Sequence, residues 1–318
     1  MANGSELAPI ERRADLSAEE FFRSYVGKRP VVLAGLVANW PAVTSWTSEY
    51  WISKWGRSPV KVKRGNVADS DYVEMSMGDY VQAIHATQAP SPDIYLHNFP
   101  LLHTYARLLR DVQPFPTRYL PNWYRDDWWR PMQFFYGPTD SRTPLHFDGY
   151  GTHGFLFQVT GSKRIIFIDP RDRSRCAMTK FFWSVIDAEN PDLAAYPDFA
   201  SVARRECVTR PGDLVYWPPW TLHQVRNLEP SSSFSLEWHD RRSVARSLAV
   251  IDNQHPMRML RLNVAHALGL WCKIPKRLTY PAYRFYFDSP RKRVTGVPDL
   301  AHGGSPISSA TSVRPTPR

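Results

Sequence analysis

Residues 132–168 read MQFFYGPTDSRTPLHFDGYGTHGFLFQVTGSKRIIFI, and this stretch decides the fold. Short apolar runs alternate with Gly, Pro and Asp, which is the pattern of β-strands joined by tight turns. The same texture continues along the chain, with further apolar runs at 205–209, 214–217, 223–227 and 233–238. Closely spaced strands with turn signals predict a mainly β fold, an antiparallel sandwich or barrel such as a double-stranded β-helix of the jelly-roll type.

Helical segments flank this β region on both sides. Ser17 is followed three residues later by Glu20, a capping-box pattern that predicts the start of a short helix. Beyond the β region, apolar residues recur at helical spacing over 243–270. The N-terminal part further predicts strands at 30–35 and 60–63, helices at 46–55 and 76–86, and loops with short elements at 89–130. We therefore expect N-terminal α/β elements before the β core and C-terminal helices after it.

The charge of the chain changes near residue 240. Residues 241–318 hold 14 Lys and Arg against 3 Asp and Glu, a net charge of +11, whereas the preceding residues hold 26 against 27. A basic region of this kind either binds an anionic partner or is a solvated basic helix with a basic tail. We predict four regions: a flexible N-terminus at 1–15, the β-rich domain at 16–240, a basic helical region at 241–290 and a disordered tail at 291–318.

The composition excludes several classes of protein. The chain has 318 residues, of which 43% are hydrophobic and 22% are charged, as in a globular protein. Its longest apolar stretches fall far below the roughly 18–20 residues of a membrane span, and residues 1–15 lack the apolar segment of a secretory signal. The cysteines, Cys176, Cys207 and Cys272, are odd in number and far apart. They form neither a disulfide framework nor a CxxC zinc site, so we predict a cytoplasmic location and no membrane partner.

The segment Thr143-Pro-Leu-His146-Phe-Asp148 contains a candidate metal site. Residues i and i+2 of an extended strand point to the same face, so His146 and Asp148 can approach one metal together. His223 is the candidate third ligand, because it follows a Pro211-Gly-Asp turn and a buried apolar run. The alternative interpretation is a strand histidine hydrogen-bonded to a nearby aspartate.

Two histidines and one carboxylate favour a particular metal. This ligand set leaves positions open on one side of the ion, as non-haem Fe(II) requires when it binds O2 and a substrate together. Zinc is the main rival, but zinc sites favour Cys and His, and none of the three cysteines lies near these ligands in the sequence.

An Fe(II) oxygenase also needs two further electrons, which 2-oxoglutarate supplies through oxidative decarboxylation. The distal carboxylate of this cosubstrate requires a cation and hydroxyl donors. Lys163, at the start of a predicted strand, is the candidate cation, and Thr143 is a candidate hydroxyl donor. Arg164 competes with Lys163 unless strand alternation turns it to the other face, and an ordinary turn lysine is the alternative interpretation of Lys163.

Taken together, these segments resemble the JmjC/cupin-8 family of 2-oxoglutarate-dependent oxygenases, particularly the factor-inhibiting-HIF-like hydroxylases. The resemblance covers about residues 16–240 and implies a cupin core. Its motifs lie at 29–36, 40–42, 143–148, 158–164, 190–199 and 211–223.

The resemblance implies roles for individual residues. His146, Asp148 and His223 correspond to the iron ligands, and Lys163 and Thr143 correspond to the holders of the distal carboxylate. Tyr95 resembles a tyrosine that assists them, and Ser235 occupies the place of a second hydroxyl residue. The chain departs from the family at two positions: 154–156 lacks an asparagine that many relatives have, and Glu237 stands where the last strand often has an asparagine.

The function that the resemblance implies is an Fe(II)- and 2-oxoglutarate-dependent dioxygenase that uses O2 to hydroxylate a peptide or protein side chain. Hydroxylation of a small-molecule metabolite or a modified tRNA base is an alternative within the same class. A non-catalytic cupin-like binding module is the alternative from another class. The C-terminal helices often form a dimer interface in the family, so residues 250–270 are a candidate homodimer contact.

Overall fold

The computed structural model describes residues 7–67, 71–86, 93–179, 182–250 and 257–279, whose strands form two sheets. In chain order the strands are β1 Ala8–Pro9, β2 Arg12–Arg13, β3 Val31–Leu33, β4 Pro59–Arg64, β5 Tyr72–Ser76, β6 Ile94–Phe99, β7 Gln133–Gly137, β8 Arg142–His146, β9 His153–Thr160, β10 Lys163–Ile168, β11 Arg204–Val208, β12 Leu214–Trp217, β13 Leu222–Asn227 and β14 Ser231–Trp238. The α-helices are α1 Ala18–Ser24, α2 Pro41–Ser45, α3 Ser48–Trp55, α4 Met77–His85, α5 Leu101–Thr104, α6 Arg241–Ala249 and α7 Met257–Cys272. Short 3₁₀ helices lie at Ala106–Val112, Thr117–Tyr119, Asn122–Tyr124, Pro170–Arg175 and Pro197–Ser201.

The two sheets have the strand orders of a mixed but mostly antiparallel sandwich. The smaller sheet runs β1-β11-β10-β13-β8, and the larger runs β2-β3-β12-β9-β14-β7-β6-β4-β5. Only the two N-terminal strands pair in parallel among the described strands, β1 with β11 and β2 with β3. The predicted jelly-roll core with flanking helices is therefore confirmed.

One part of the core lies between the sheets. Ile165 and Phe167 of β10 pack with Val215 and Trp217 of β12, and all four are buried. A second part lies under the N-terminal helices, where the Trp46 ring meets the larger sheet. Burial of this apolar surface drives the packing, since each fully buried phenylalanine side chain contributes about 1.5–3 kcal/mol of favourable transfer free energy.

The helix starts follow the polar residues that cap them. The Ser17 hydroxyl accepts a hydrogen bond from the Glu20 amide at 3.1 Å, which confirms the predicted start of α1. Ser76 caps α4 in the same way through Asp79, at 3.1 Å. Asp240 caps α6 and fixes the point at which the chain leaves β14 for the C-terminal helices.

The prediction of a flexible N-terminus over 1–15 is wrong for residues 7–15. These residues supply β1 and β2, and the Arg12 guanidinium pairs with the buried Asp213 carboxylate at 2.7 Å. These two-residue strands have no local signal, because β1 pairs with the distant strand β11 and β2 is held in place by β3 and by the ion pair with Asp213. Residues 1–6 and the predicted disordered tail at 291–318 lie outside the described residues.

Two further elements complete the fold. The segment 89–130 contains the buried strand β6 as well as loops and short helices. The C-terminal helical region appears as α6 and α7, and residues 280–290 of that region fall outside the described ranges. Of the helices in the described ranges, none combines the length and apolarity that crossing a bilayer requires.

Candidate metal and cosubstrate site

The smaller sheet brings together the three predicted metal ligands. His146 on β8 lies directly opposite His223 on β13, and their ring centroids are 4.2 Å apart. Strand β8 ends at His146, so Asp148 follows the strand instead of lying on it as the HxD spacing predicted. Its Oδ1 lies 4.0 Å from His223 Nε2. One ligand atom from each residue lies within 4.8 Å of the others, which is close enough to share one ion.

Backbone carbonyls orient both imidazoles. The Nδ1 of His146 lies 2.8 Å from the Pro144 carbonyl, and the Nδ1 of His223 lies 3.1 Å from the Thr221 carbonyl. A carbonyl oxygen only accepts, so Nδ1 carries the proton in each ring and the Nε2 lone pair is left for a metal.

The Trp217 indole positions the third ligand. Its Nε1 donates to Asp148 Oδ2 at 2.9 Å, which leaves Oδ1 to face the histidines. The same ring lies 4.7 Å from His223, centroid to centroid. A Cβ at Gly154 would lie 2.0 Å from Trp217 Cε2, so glycine is required at this position. The Trp217 ring that holds Asp148 therefore occupies the space that a side chain at position 154 would need, in the segment where many relatives have an asparagine.

Burial keeps the two histidines in the form that binds metal. It lowers the pKa of His146 well below its usual value, and the neighbouring His223 lowers it further. Burial also lowers the pKa of His223 to about 4 and raises the pKa of Asp148 to about 6. Two neutral imidazoles beside a carboxylate that has lost its solvation form a site that a divalent cation would stabilise.

The donor set fits Fe(II). Two imidazole nitrogens and one carboxylate oxygen are the ligands of the facial triad, and no described cysteine joins them. His146, Asp148 and His223 would hold the ion, which would supply the redox chemistry. His146 and Asp148 keep partial solvent exposure, whereas His223 is buried, so the cluster is open on one side.

A second polar cluster surrounds Lys163 at the start of β10. Its ammonium donates to Asn227 Oδ1 at 2.6 Å and lies 3.5 Å from the Tyr95 hydroxyl. Tyr95 also hydrogen-bonds Thr143, three residues before His146 on β8. All four side chains are buried. Lys163, Thr143 and Tyr95 therefore come together as the predicted cosubstrate cluster requires.

Burial changes the pKa of Lys163, and the neighbouring Arg164 side chain does not share its environment. It lowers the pKa of Lys163 to about 7, so a bound carboxylate would restore the charged form. Arg164 points to the opposite face, where it pairs with Glu189 at 2.6 Å and Glu206 at 2.7 Å. Strand alternation thus leaves Lys163 as the cation of this cluster.

Sequence reasoning missed two residues of the site. Asn227 is fully buried and accepts from Lys163 because β10 and β13 pair in a register that places Lys163 opposite Asn227. Trp217 is the second, because its indole donates to Asp148. No spacing rule reveals either role, since each depends on the pairing of distant strands.

Ser235 is the fourth residue predicted to contact the cosubstrate, and among the described residues it makes no hydrogen bond with Lys163. It belongs to β14 and lines an open pocket whose lining, among the described residues, does not include Lys163, Thr143 or Tyr95. Glu237 lines the same pocket and accepts a hydrogen bond from the Thr152 hydroxyl at 2.8 Å. Thr152 follows Asp148 by four residues, so one wall of this pocket is formed by residues that lie close to a predicted metal ligand in the sequence.

Known proteins are similar to this chain in sequence. The cupin-like domain family matches residues 18–244. Lysine-specific demethylase 8 of Danio rerio is 28% identical over 70% of this chain and 56% of its own length. Arginine-specific demethylase JMJ20 of Arabidopsis thaliana is 26% identical over 73% of this chain and 57% of its own. The tRNA wybutosine-synthesizing protein 5 of Danio rerio is 26% identical over 93% of this chain and 94% of its own.

The extent of these matches differs between the relatives. The chain spans little more than half the length of the two demethylases but nearly the whole length of the tRNA wybutosine-synthesizing protein. The family match, in contrast, covers most of this chain and contains the His-Asp-His cluster. The chain belongs to the JmjC/cupin-8 family of iron- and 2-oxoglutarate-dependent oxygenases.

Proposed function

We propose that the protein is a dioxygenase that uses Fe(II), 2-oxoglutarate and O2 to hydroxylate a C–H bond in a peptide or protein side chain. The observation that carries this proposal is the triad of His146, Asp148 and His223 in the same core as the buried Lys163 ammonium. The first cluster suits Fe(II) and the second suits a carboxylate. 2-Oxoglutarate needs both, because its keto-acid end chelates iron and its distal carboxylate needs a cation.

Each residue has a defined task in this proposal. His146, Asp148 and His223 hold Fe(II), which supplies the oxidising power for hydroxylation when O2 and 2-oxoglutarate are present. Lys163 donates to the distal carboxylate together with the hydroxyls of Tyr95 and Thr143. Trp217, Asn227 and the backbone carbonyls hold these groups in place, so little reorganisation accompanies the reaction. Ser235 belongs to the substrate pocket in this account.

A protein side chain is the preferred substrate because the names of two relatives refer to action on lysine and arginine. A modified tRNA base is the second candidate. It is favoured by the tRNA wybutosine-synthesizing protein, whose match covers 93% of this chain and so extends beyond the shared domain. The exposed arginines of α6 and α7, Arg241, Arg242, Arg246 and Arg261, would then contact an anionic partner.

The decisive experiment is mass spectrometry of peptide pools, tRNA and metabolites incubated with the enzyme, Fe(II) and 2-oxoglutarate. We expect a peptide product heavier by the mass of one oxygen atom, absent with His146→Ala and present with His85→Ala, which removes an exposed histidine that is not part of the triad. A product found only in tRNA or only among metabolites would replace the peptide assignment. A triad that binds Fe(II) but yields no product in any pool would indicate a non-catalytic binding module.

We also propose that the protein is a cytoplasmic homodimer. The described cysteines are all free, as expected in a reducing compartment. Helix α7 exposes Val264, Leu268 and Trp271, whose spacing places them on one face, and Trp271 is 46% exposed. An apolar stripe of this kind suits a second copy of the same helix.

A further inference from the structure

The pocket lined by Ser235 and Glu237 contains a lysine whose ammonium has no ion-pair partner among the described residues. Lys276, four residues after the end of α7, lines the pocket together with Glu237 and Ser235. Its ammonium lies 5.2 Å from the ring centre of Trp123 and 5.1 Å from that of Tyr124. Among the described residues, it makes no hydrogen bond and no ion pair. A partly buried ammonium that lies over aromatic rings without a direct hydrogen bond retains most of its capacity to bind an anion.

The position of Lys276 is fixed, unlike that of an ordinary surface lysine. The Trp123 indole donates to the Ile274 carbonyl at 3.0 Å, two residues before Lys276. Helix α7 also packs closely on Trp123, since a Cβ at Gly269 would lie 2.0 Å from Trp123 Cε2. The backbone that carries Lys276 is therefore held beside the pocket by the contacts of Trp123 with Gly269 and with the Ile274 carbonyl.

The charged neighbours do not neutralise this ammonium by direct contact. Asp127 lines the same pocket, but its Oδ1 accepts from Arg130 Nε at 3.4 Å. Asp126 and Asp127 attract Lys276 from beyond ion-pair distance and Arg130 repels it, whereas burial lowers the pKa of Lys276 to about 8. Arg130 also lines this pocket but pairs with Asp127, whereas no described carboxylate lies within ion-pair distance of Lys276.

We propose that Lys276 binds a carboxylate of the peptide substrate, such as a glutamate or aspartate near the residue that is hydroxylated. This inference rests on the proposed function and deepens it. The pocket is bordered by Thr152 and Tyr150, which follow Asp148 closely, and by Lys276 from the C-terminal segment. A substrate in this pocket is therefore anchored by a part of the chain outside the match at 18–244. The C-terminal segment becomes a specificity element.

The first test measures whether a carboxylate protects Lys276. The enzyme, loaded with Fe(II) and 2-oxoglutarate under nitrogen, is treated with limiting acetic anhydride, and acetylation of each lysine is followed by mass spectrometry. N-acetyl-glutamate N-methylamide is expected to slow acetylation of Lys276 severalfold, while the uncharged glutamine analogue is not. The exposed Lys273 is the internal control. Equal acetylation with both probes would overturn the proposal. Protection only by inorganic phosphate and tRNA would also overturn it, in favour of an RNA phosphate.

The second test separates substrate binding from a structural role. On peptide pools with a fixed glutamate, Lys276→Met should raise KM about tenfold and leave kcat nearly unchanged, as expected for loss of one charge-assisted hydrogen bond. Lys276→Arg should restore most of the affinity, and Arg277→Met is the matched control. If Lys276→Met lowers the melting temperature without changing KM, the lysine is only structural. If the wild type makes no product but the probe still protects Lys276, the proposed function fails and the anion site stands.

Discussion

At the scale of residues, the clustering of His146, Asp148 and His223 was predictable, whereas the residues that hold them in place were not. His146 and Asp148 are two positions apart, and His223 follows a recognisable turn and strand. The roles of Trp217 and Asn227, in contrast, arise from contacts between strands that are distant in the sequence. A pattern of residue types indicates which chemistry is present. The register of the sheet determines which neighbouring side chains hydrogen-bond the reactive groups.

The Trp217 indole should strengthen metal binding through Asp148. Trp217→Phe removes the donor to Asp148 Oδ2 while it keeps the ring, so we expect Fe(II) affinity to fall about 10- to 100-fold. Anaerobic calorimetric titration with Fe(II) measures this change. Trp220→Phe is the matched control, because the buried Trp220 indole nitrogen has no hydrogen-bond partner in the described parts of the chain. Equal loss of affinity in the two variants would show that the indole hydrogen bond is not responsible.

Lys163 should make 2-oxoglutarate binding depend on pH. Burial lowers the pKa of the free lysine to about 7, and a bound carboxylate requires the charged form. Binding therefore takes up a proton above pH 7, and affinity should fall by up to about tenfold for each pH unit above that value. Anaerobic calorimetry between pH 7 and 8.5 tests this. Lys163→Arg, which stays charged, should abolish the dependence. A wild-type affinity that does not change with pH would refute the account.

At the scale of elements, a buried network joins the C-terminal helices to the β core. The Tyr124 hydroxyl accepts from the His239 amide at 2.9 Å and lies 2.5 Å from His266 Nδ1 on α7. The His239 ring contacts Ser243 of α6 and Asn263 of α7 at 2.9 and 3.2 Å. The sequence predicted these helices by their apolar spacing. It did not reveal the docking network, because buried histidines have no periodic signal.

This network should make the protein sensitive to acid. Burial lowers the pKa of His239 to about 3, and burial together with His239 and Lys276 lowers that of His266 well below its usual value. Both histidines protonate in the unfolded chain near pH 6.5, so stability is lost as pH falls below that value. We expect the free energy of unfolding in urea to drop by about 1 kcal/mol for each histidine between pH 7 and 5.5. His266→Gln should reduce the drop, and an unchanged drop would contradict this assignment.

The exposed face of α7 should set the oligomeric state. Trp271→Glu introduces a charge into the proposed contact, so the dimer should dissociate to a monomer in analytical ultracentrifugation. Val185→Glu, at a position that is 56% exposed and remote from α7 in sequence, provides the same charge change as a control. A wild-type monomer at micromolar concentration would exclude this interface.

At the scale of the whole molecule, the short apolar runs separated by Gly, Pro and Asp over 132–238 were sufficient to predict the sandwich. The N-terminal strands β1 and β2 escaped prediction because two-residue strands gain their stability from partners in β11 and β3. The pocket lined by Ser235 and Glu237 was not predicted either, because its walls come from β14, the segment 124–133, α7 and the segment after α7. Local patterns therefore predict the scaffold and the ligands, while long-range packing determines the cavity.

The central claim is that one ferrous ion and one 2-oxoglutarate act together at the triad and Lys163. The most direct measurement is the conversion of 2-oxoglutarate to succinate by the anaerobically purified protein after addition of Fe(II) and air. We predict succinate formation that requires Fe(II), disappears in His146→Ala, weakens in Lys163→Met through a raised KM for 2-oxoglutarate, and persists in His85→Ala. Succinate formation that survives His146→Ala, or that the wild type never shows with Fe(II) bound, would contradict the account.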